Sequence, residues 1–329
     1  MMRLHRAAVC GLLLAVACGR GEQTPEPSSA PKGPASTPFD EARRLLEQGQ
    51  ADAALAALAA APAVAESFYL QGAAWARKAE TAPLPTPPPA PSPLPRGYTA
   101  VPAPEFKEAE LRALSLLEQA VAAEANHARA HQAIADLLAP HAIRRAELQK
   151  ASASASRPRG KRGKPEPPPP SAAPDGPDAS PGRVIREYQL AITADPAATA
   201  PVERLITFCE RTDHATEAEA AFTELEKRER EKPGPYVRHG DFLNARRDFD
   251  GAISQYRQAL MWKADDEATK SKIGEIYIAL AQEHVAKQEY GSATERLREA
   301  SKWVKDKNSP AGVKLQAALA ELAQIRRGR

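Results

Sequence analysis

Small and apolar side chains recur along this chain with a period of 34 residues. With Pro233 as position 1 of a unit, small or apolar residues occupy positions 8, 11, 20, 24 and 27. Starting the same frame at Thr199 places residues of the same kind at positions 7, 11, 20 and 24, and starting it one period earlier places such residues at positions 20, 24, 27 and 32. These residues are Gly240, Leu243, Ala252, Tyr256 and Ala259; Leu205, Cys209, Ala218 and Phe222; and Val184, Tyr188, Ala191 and Pro196. A period of this length predicts a repeated pair of helices.

The spacing resembles the tetratricopeptide repeat (TPR), in which small residues let two antiparallel helices approach and aromatic side chains fill the seam between them. The resemblance implies an all-α, TPR-type α-solenoid of antiparallel helix pairs, interrupted by two disordered proline-rich insertions. It covers roughly residues 39–80, 105–143 and 183–308. A helical bundle without repeats is the alternative.

The register is displaced in three units. In the unit after the one starting at Pro233, the second helix resumes at Ala293, seven residues late. This predicts about two extra turns, either in the first helix alone or in both helices. The unit starting at Ala65 resumes at Ala113, and the unit starting at Ala128 resumes at Val184. Both long insertions are therefore expected inside helix pairs.

The two ends of the repeat region are less regular. Residues 39–48 and 52–61, broken at Gly49, predict an alanine- and leucine-rich hairpin. Residues 313–325 predict a terminal capping helix with a polar outer side. Its expected apolar face consists of Leu315, Leu319 and Leu322.

Composition separates helical from non-helical segments. The chain is 43% hydrophobic but only 5% aromatic, and most of its 31 prolines lie between residues 19 and 38, 81 and 104, and 151 and 182. Segments so rich in proline are not expected to form a packed core. The predicted organisation is a leader over 1–17, a disordered tether over 18–38, TPR-like helices over 39–143 with an insertion at 81–104, a basic and proline-rich disordered linker over 144–182, and a solenoid with its capping helix over 183–329.

The amino terminus has the pattern of a secretory leader. Arg3 and Arg6 precede an apolar run of 11 residues, which is too short to span a bilayer. The run ends in Leu-Ala-Val-Ala-Cys18-Gly19, which resembles the lipobox of bacterial lipoproteins, with alanine where leucine is usual. The resemblance implies a lipidated Cys18 as the mature first residue, and Gly19 resembles lipoproteins passed to the outer membrane. An ordinary leader with a chance cysteine is the alternative.

Little in the sequence points to catalysis. It has no phosphate loop, no glycine-rich dinucleotide motif, no H-E-x-x-H and no cysteine pair. Cys209 lies among apolar residues at a core position, so we expect a buried structural thiol rather than a nucleophile. His127 and His131 have a spacing that can hold a metal, but the nearest third ligand, Asp136, is about a quarter turn away. We expect no enzyme activity, no cofactor and no metal.

One segment is densely basic. The second insertion contains Arg157, Arg159, Lys161, Arg162 and Lys164. Such an arm can contact a polyanion, such as an envelope phosphate or a lipid headgroup, although a solvated linker is the alternative. The formal net charge of only +3 and the lack of interleaved aromatic residues argue against nucleic acid as a partner. The first insertion has P-x-x-P spacings and is expected to be a stiff spacer or a ligand for an aromatic groove.

The TPR resemblance implies that a protein or peptide partner lies in the groove lined by the first helix of each unit. Position 6 of three successive units is Arg204, Arg238 and Lys272, which form a candidate basic ladder for an acidic or helical segment. Alternatively, Arg238 and Lys272 pair with the acidic residues three positions later on their own helices. The lysine and asparagine that clamp a terminal carboxylate in some family members are absent at positions 5 and 9.

These features predict a membrane-anchored, extracytoplasmic TPR scaffold at the periplasmic face of the outer membrane. It would bind a protein partner, for example in the assembly of a pilus or secretin. The alternative is a structural envelope tether that acts through its basic and proline-rich arms.

Overall fold

The computed structural model describes residues 37–83, 106–155 and 177–327. In these three stretches the regular secondary structure is entirely α-helical. The helices are α1 Pro38–Glu47, α2 Ala51–Leu58, α3 Ala65–Thr81, α4 Glu108–Ala123, α5 Ala128–Ala155, α6 Pro181–Ala194, α7 Ala200–Thr212, α8 Ala215–Arg228, α9 Pro233–Ala245, α10 Phe249–Trp262, α11 Glu267–Ala286, α12 Tyr290–Trp303 and α13 Pro310–Arg327. The leader, Cys18, most of both insertions and the basic patch from Arg157 to Lys164 lie outside the described residues.

The helices pack as successive pairs. Helix α1 packs on α2, α3 on α4, α5 on α6, α7 on α8, α9 on α10, and α11 on α12. The substantial contacts all join helices that are one or two apart in the chain, which is the contact pattern of a solenoid. The predicted all-α, TPR-type arrangement of helix pairs is confirmed.

Both insertions fall inside helix pairs, as the register predicts. Helix α3 packs on α4 although residues 82–107 separate them, and α5 packs on α6 across residues 156–180. Gly72 shows why α3 and α4 can approach, because a Cβ atom at this position would lie only 2.8 Å from Cγ of Leu117.

The predicted linker boundaries at 144 and 182 are wrong. Helix α5 continues to Ala155, and its extension is held against α7 by an ion pair of 3.0 Å between Glu147 and Arg211. At the other boundary, α6 begins at Pro181. The hydroxyl of Ser180 accepts a hydrogen bond from the amide of Arg183 at 3.3 Å, which is a standard helix cap. Composition grouped these helical residues with the linker because alanine, serine and proline are abundant there.

The seven extra residues in the penultimate unit belong to its first helix. Helix α11 has 20 residues, whereas α9 has 13, and the second helices α10 and α12 both have 14. Of the two alternatives that the sequence left open, the lengthening of the first helix alone is therefore the correct one.

The terminal helix α13 packs on α11 and α12, but not with the whole face that the sequence predicts. Leu315 and Leu322 are buried, whereas Leu319 remains 37% exposed. Ala311 and Ala318 complete the buried stripe because they share the helix side of Leu315. The assignment of Leu319 to the packed face is wrong.

Three apolar cores follow one another along the chain. The first joins α1–α3, the second runs from Phe106 through α8, and the third runs from α9 to α13. Phe242 is packed against both the second and the third core. Cys209 is buried in the second core, where burial raises its pKa to about 12, so the thiol stays protonated. None of the described helices has the length and apolar character needed to cross a membrane.

Candidate partner-binding face

A row of charged side chains joins the first helices of successive pairs. We call this row, on α5, α7, α9, α11 and α13, the first-helix face. Each cation in it pairs with a carboxylate on the preceding first helix. We call these four ion pairs the inter-unit rungs: Arg204 Nη1 to Asp136 Oδ1 at 3.1 Å, Arg238 Nη2 to Glu210 Oε2 at 2.9 Å, Lys272 Nζ to Asp241 Oδ2 at 2.6 Å, and Lys314 Nζ to Glu275 Oε1 at 2.6 Å.

The candidate basic ladder is thus present, but its cations are not free. The structure also departs from the alternative of pairing within one helix. Asp241 pairs with Lys272 of the next first helix, and Glu275 pairs with Lys314 of the one after that. The side chains of Arg204, Arg238 and Lys272 are 54%, 36% and 36% exposed. An ion pair with this exposure contributes only about 0 to 1 kcal/mol, so a ligand group can replace either partner.

In two rungs, the aspartate also accepts a hydrogen bond from a tyrosine of a second helix. Tyr188 donates its hydroxyl hydrogen to Asp136 Oδ1 at 2.8 Å, and Tyr256 donates to Asp241 Oδ1 at 2.7 Å. Burial, together with the neighbouring carboxylate, raises the pKa of both tyrosines above the ordinary value. Both hydroxyls therefore keep their protons and fix the aspartate side chains.

The unit between these two uses another arrangement. It has Phe222 where those two units have tyrosine, and Thr207 where they have aspartate. Arg238 consequently reaches further along α7, donating to the hydroxyl of Thr207 and to Glu210, both at 2.9 Å. Tyrosine at position 24 thus accompanies aspartate at position 9, and this pairing is the sequence signal that could have located the rungs.

The charged row continues on the amino-terminal helices in a different form. Glu66 of α3 accepts hydrogen bonds from Arg43 of α1 at 2.9 and 3.2 Å. His127 and Arg129, at the start of α5, lie 3.2 and 3.9 Å from the same carboxylate. One carboxylate therefore connects three first helices.

The histidines considered as a metal pair point to different partners. His127 contacts Glu66, whereas His131 contacts Glu187 of α6 at 2.7 Å. Asp136 is occupied by Tyr188 and the first rung. Among the described residues, no group of three histidine, cysteine, aspartate or glutamate side chains is arranged to hold a metal ion.

A cavity of about 360 Å³ lies between α3 and α5, beside Asp136. Its charged rim is already engaged, because Arg77 pairs with Glu80 at 3.3 Å and Lys107 donates to the carbonyl of Ala79 at 2.6 Å. Glu110 also lines the cavity, and its carboxylate accepts a hydrogen bond from the amide of Lys107 at 2.6 Å. The remaining lining residues are small or apolar: Ala73, Ala76, Ala79, Ala133, Leu137 and Pro140. The cavity presents no adjacent nucleophile and base.

No family model matches the chain, and no curated protein matches it. Solved structures similar to it include PilF of Pseudomonas aeruginosa, with 12% identity, coverage of 85% of this chain and 95% of that chain, and a TM-score of 0.40. A TPR protein of Parabacteroides merdae is 9% identical, covers 86% and 97% of the two chains, and gives a TM-score of 0.39. The thermophilic TPR protein TTC0263 of Thermus thermophilus is 14% identical, covers 73% and 96%, and gives 0.37.

These identities and TM-scores are low. The class is defined by the chain itself, through its 34-residue register, the small residues at helix seams and the sequential packing of its pairs. The described part is a helical-repeat array of TPR type.

Proposed function

We propose that the chain is a lipid-anchored, extracytoplasmic scaffold that binds a protein partner along the first-helix face. The inter-unit rungs carry the partner-binding part of this proposal, since they place exposed cations on the successive first helices α7, α9 and α11. Repeat arrays of this kind offer extended surfaces that suit an elongated partner. The coarser conclusion, a scaffold for protein interaction, follows from the fold and the face.

The rungs favour an acidic partner segment. A partner carboxylate can bind Arg204 or Lys272 in place of the aspartate that now pairs with it. The displaced aspartate keeps its tyrosine hydrogen bond, so the exchange leaves no buried polar group without a partner. The TPR-type fold therefore supplies the surface, and the exchangeable rungs supply the selectivity.

The proposed location rests on the residues around Cys18. A lipid anchor there would hold the scaffold at the periplasmic face of the outer membrane, where a pilus or secretin is assembled. The basic patch from Arg157 to Lys164 would add contact with envelope phosphates or lipid headgroups. If the arms rather than the repeats are responsible for function, the chain is a structural envelope tether. Deleting the arm and retaining the repeats distinguishes the two functions.

The first test removes the exposed cations of the rungs. Replacing Arg204, Arg238 and Lys272 by alanine in the full-length protein should weaken partner capture by roughly tenfold, because three exposed pairs of about 0.5 kcal/mol each are lost. The salt dependence of capture should become flatter. Capture by affinity chromatography at several salt concentrations, followed by identification of the retained protein, measures both effects.

The matched control removes the same charge elsewhere. Lys227, Lys263 and Lys302 lie at the ends of second helices and are similarly or more exposed. Their replacement by alanine should leave capture unchanged. An equal loss in both triple variants would show that only net charge matters, which contradicts binding at the rungs.

A charge swap distinguishes a role of the rung in partner binding from a role in packing between repeat units. Exchanging the partners of one rung, Arg238→Glu with Glu210→Arg, restores an ion pair between α7 and α9 without removing the acceptor of a tyrosine hydroxyl. If the rung only connects repeat units, the double variant should recover both the stability and the partner capture that each single variant loses. We expect it to regain stability by thermal unfolding but not capture, because the cation is then on the wrong helix for the partner.

The anchor is tested independently of the face. Cys18→Ser should move the protein from the membrane fraction to the soluble fraction, and Cys10→Ser should not. Mass spectrometry of the wild-type protein should find an acylated Cys18 as the first residue. An unmodified Cys18 in the mature protein would exclude the lipid anchor.

A further inference from the structure

His131 is a buried histidine with an acceptor at each ring nitrogen. Only 3% of the residue is exposed. Nδ1 lies 2.7 Å from Glu187 Oε2, and Nε2 lies 2.9 Å from the carbonyl oxygen of Ala125. A carbonyl oxygen cannot donate a hydrogen bond, and an ionised carboxylate cannot either. With both bonds formed to acceptors, each ring nitrogen carries a hydrogen, so the geometry favours a buried imidazolium.

The two bonds of His131 connect three parts of the chain. Ala125 belongs to the turn between α4 and α5, His131 lies in the first turns of α5, and Glu187 lies on α6. Helix α6 also joins the core of α5 through its apolar residues Val184, Ile185 and Tyr188, so the two bonds of His131 add a polar connection to this apolar packing.

The charged groups around this site are few. On α6, Arg183 lies 3.9 Å from Glu187 and donates to Glu118 of α4 at 2.6 Å. The guanidinium of Arg183 is therefore a cation close to the carboxylate of Glu187. The hydrogen bond with Glu187 is the main cause that raises the pKa of His131. Burial opposes this rise, and the Ala125 carbonyl adds to it.

The remaining neighbours of α5 direct their charges elsewhere. Glu66 of α3 faces His127, one turn before His131. Arg204 of α7 pairs with Asp136, one turn after it. Glu187 is therefore the one charged side chain in contact with the ring among the described residues.

We propose that His131 is a proton-operated latch that docks α6 on α5. In its doubly protonated form, it holds the Ala125 carbonyl and Glu187 at the same time. When it loses one proton, one of these bonds is lost, and α6 is held less firmly. The proposal is independent of the proposed function, because it concerns the packing of α6 and not the identity of a partner.

The latch connects to the first-helix face through adjacent residues. Glu187 is followed by Tyr188, whose hydroxyl holds Asp136, and Asp136 forms the first rung with Arg204. If α6 is held less firmly, Tyr188 no longer fixes the side chain of Asp136 in this rung. Proton binding at His131 thus offers a route by which pH acts on the face.

The direction of the pH dependence follows from the two states. The pKa of His131 is higher in the folded chain than in the unfolded chain, where it is about 6.5. The stabilising contribution is therefore fully present below about pH 6.5 and is lost as the pH rises through the folded pKa. We expect amide exchange in α6, corrected for its intrinsic pH dependence, to be about three- to tenfold slower at pH 6 than at pH 8.5. Helix α10, which contains no histidine, should change little.

The experiment is hydrogen exchange by mass spectrometry on the full-length protein, with an NMR titration of the imidazole Cε1 proton. His131→Gln should abolish the pH dependence in α6 and hold its exchange at the fast, high-pH level. His284→Gln, which removes a partly buried histidine that pairs with Glu289 far from α6, should leave α6 unchanged. Glu187→Gln should lower the pKa of His131 without removing the acceptor.

Two results would overturn the latch. One is a pKa of His131 at or below 6.5 in the wild-type protein. The other is exchange in α6 that does not differ between pH 6 and pH 8.5. Both are measured on the wild-type chain, so they stand even if His131→Gln fails to fold.

Discussion

Phe222→Ala is expected to lower the free energy of unfolding by about 3 to 5 kcal/mol, the usual cost of emptying a fully buried aromatic site. Phe222 has no exposed surface and lies where the second core meets α9. Its ring stacks on His239 at a centroid distance of 4.7 Å and contacts Phe242 at 5.4 Å. Phe242 in turn packs against the third core.

The position of Phe222 also predicts how the variant unfolds. Nearest-neighbour contacts determine the cooperativity of a repeat array, so a cavity at this junction should separate the units before and after it. Chemical denaturation followed by circular dichroism and by tryptophan fluorescence should give coincident transitions in the wild type and separate transitions in the variant. Leu190→Ala, at a leucine that is 41% exposed, is the control and should cost less than about 1 kcal/mol. A cost that small for Phe222→Ala would contradict the described packing.

Gly240→Ala is expected to destabilise the protein by about 1 to 3 kcal/mol through overpacking. A Cβ atom at Gly240 would lie 2.5 Å from Cε1 of Tyr256, closer than side-chain carbon atoms approach. The ring cannot move aside easily, because Tyr256 is fully buried and its hydroxyl is bonded to Asp241. Thermal unfolding measures the loss.

A glycine in the first turn of another helix is the control. Gly291 lies in the first turn of α12, and a Cβ atom there would meet no neighbouring group within 4 Å. Gly291→Ala should therefore stabilise the protein slightly, by up to about 1 kcal/mol, because alanine loses less backbone entropy in a helix than glycine. Opposite signs for the two substitutions would confirm that position 8, and not glycine in general, sets the approach of the paired helices. Equal signs would contradict this.

Much of the fold could be predicted because the repeat period constrains residues far apart in the chain. The frame that includes Gly240 and Tyr256 also located the second helices after both insertions. The end of α5 at Ala155 could not be predicted in this way. Its last turns resemble linker in composition, and the turn before them is joined to α7 by the ion pair between Glu147 and Arg211, which local sequence does not reveal.

The candidate face was predictable in its cations but not in their partners. Arg238 and Lys272 occupy the same position of successive units, and this was visible from the period. The residue spacing along one helix gives no information on the distance to the neighbouring helix. It therefore could not show whether Lys272 pairs along its own helix or across to Asp241. The role of His131 was missed for the same reason, since Glu187 is 56 residues away in the chain.

The length of α11 indicates how such an array changes size without losing its seams. Seven residues complete almost two full turns, so the added segment rotates the following side chains by only about 20°. The residues beyond it consequently still face α12, and the small residues of α12, Ala293 and Ala300, remain buried. An insertion of five residues would instead turn that face about 140° away from its partner. The length of a first helix in this array can therefore change in steps of seven residues. A longer first helix adds surface to one side of the array without disturbing the other side.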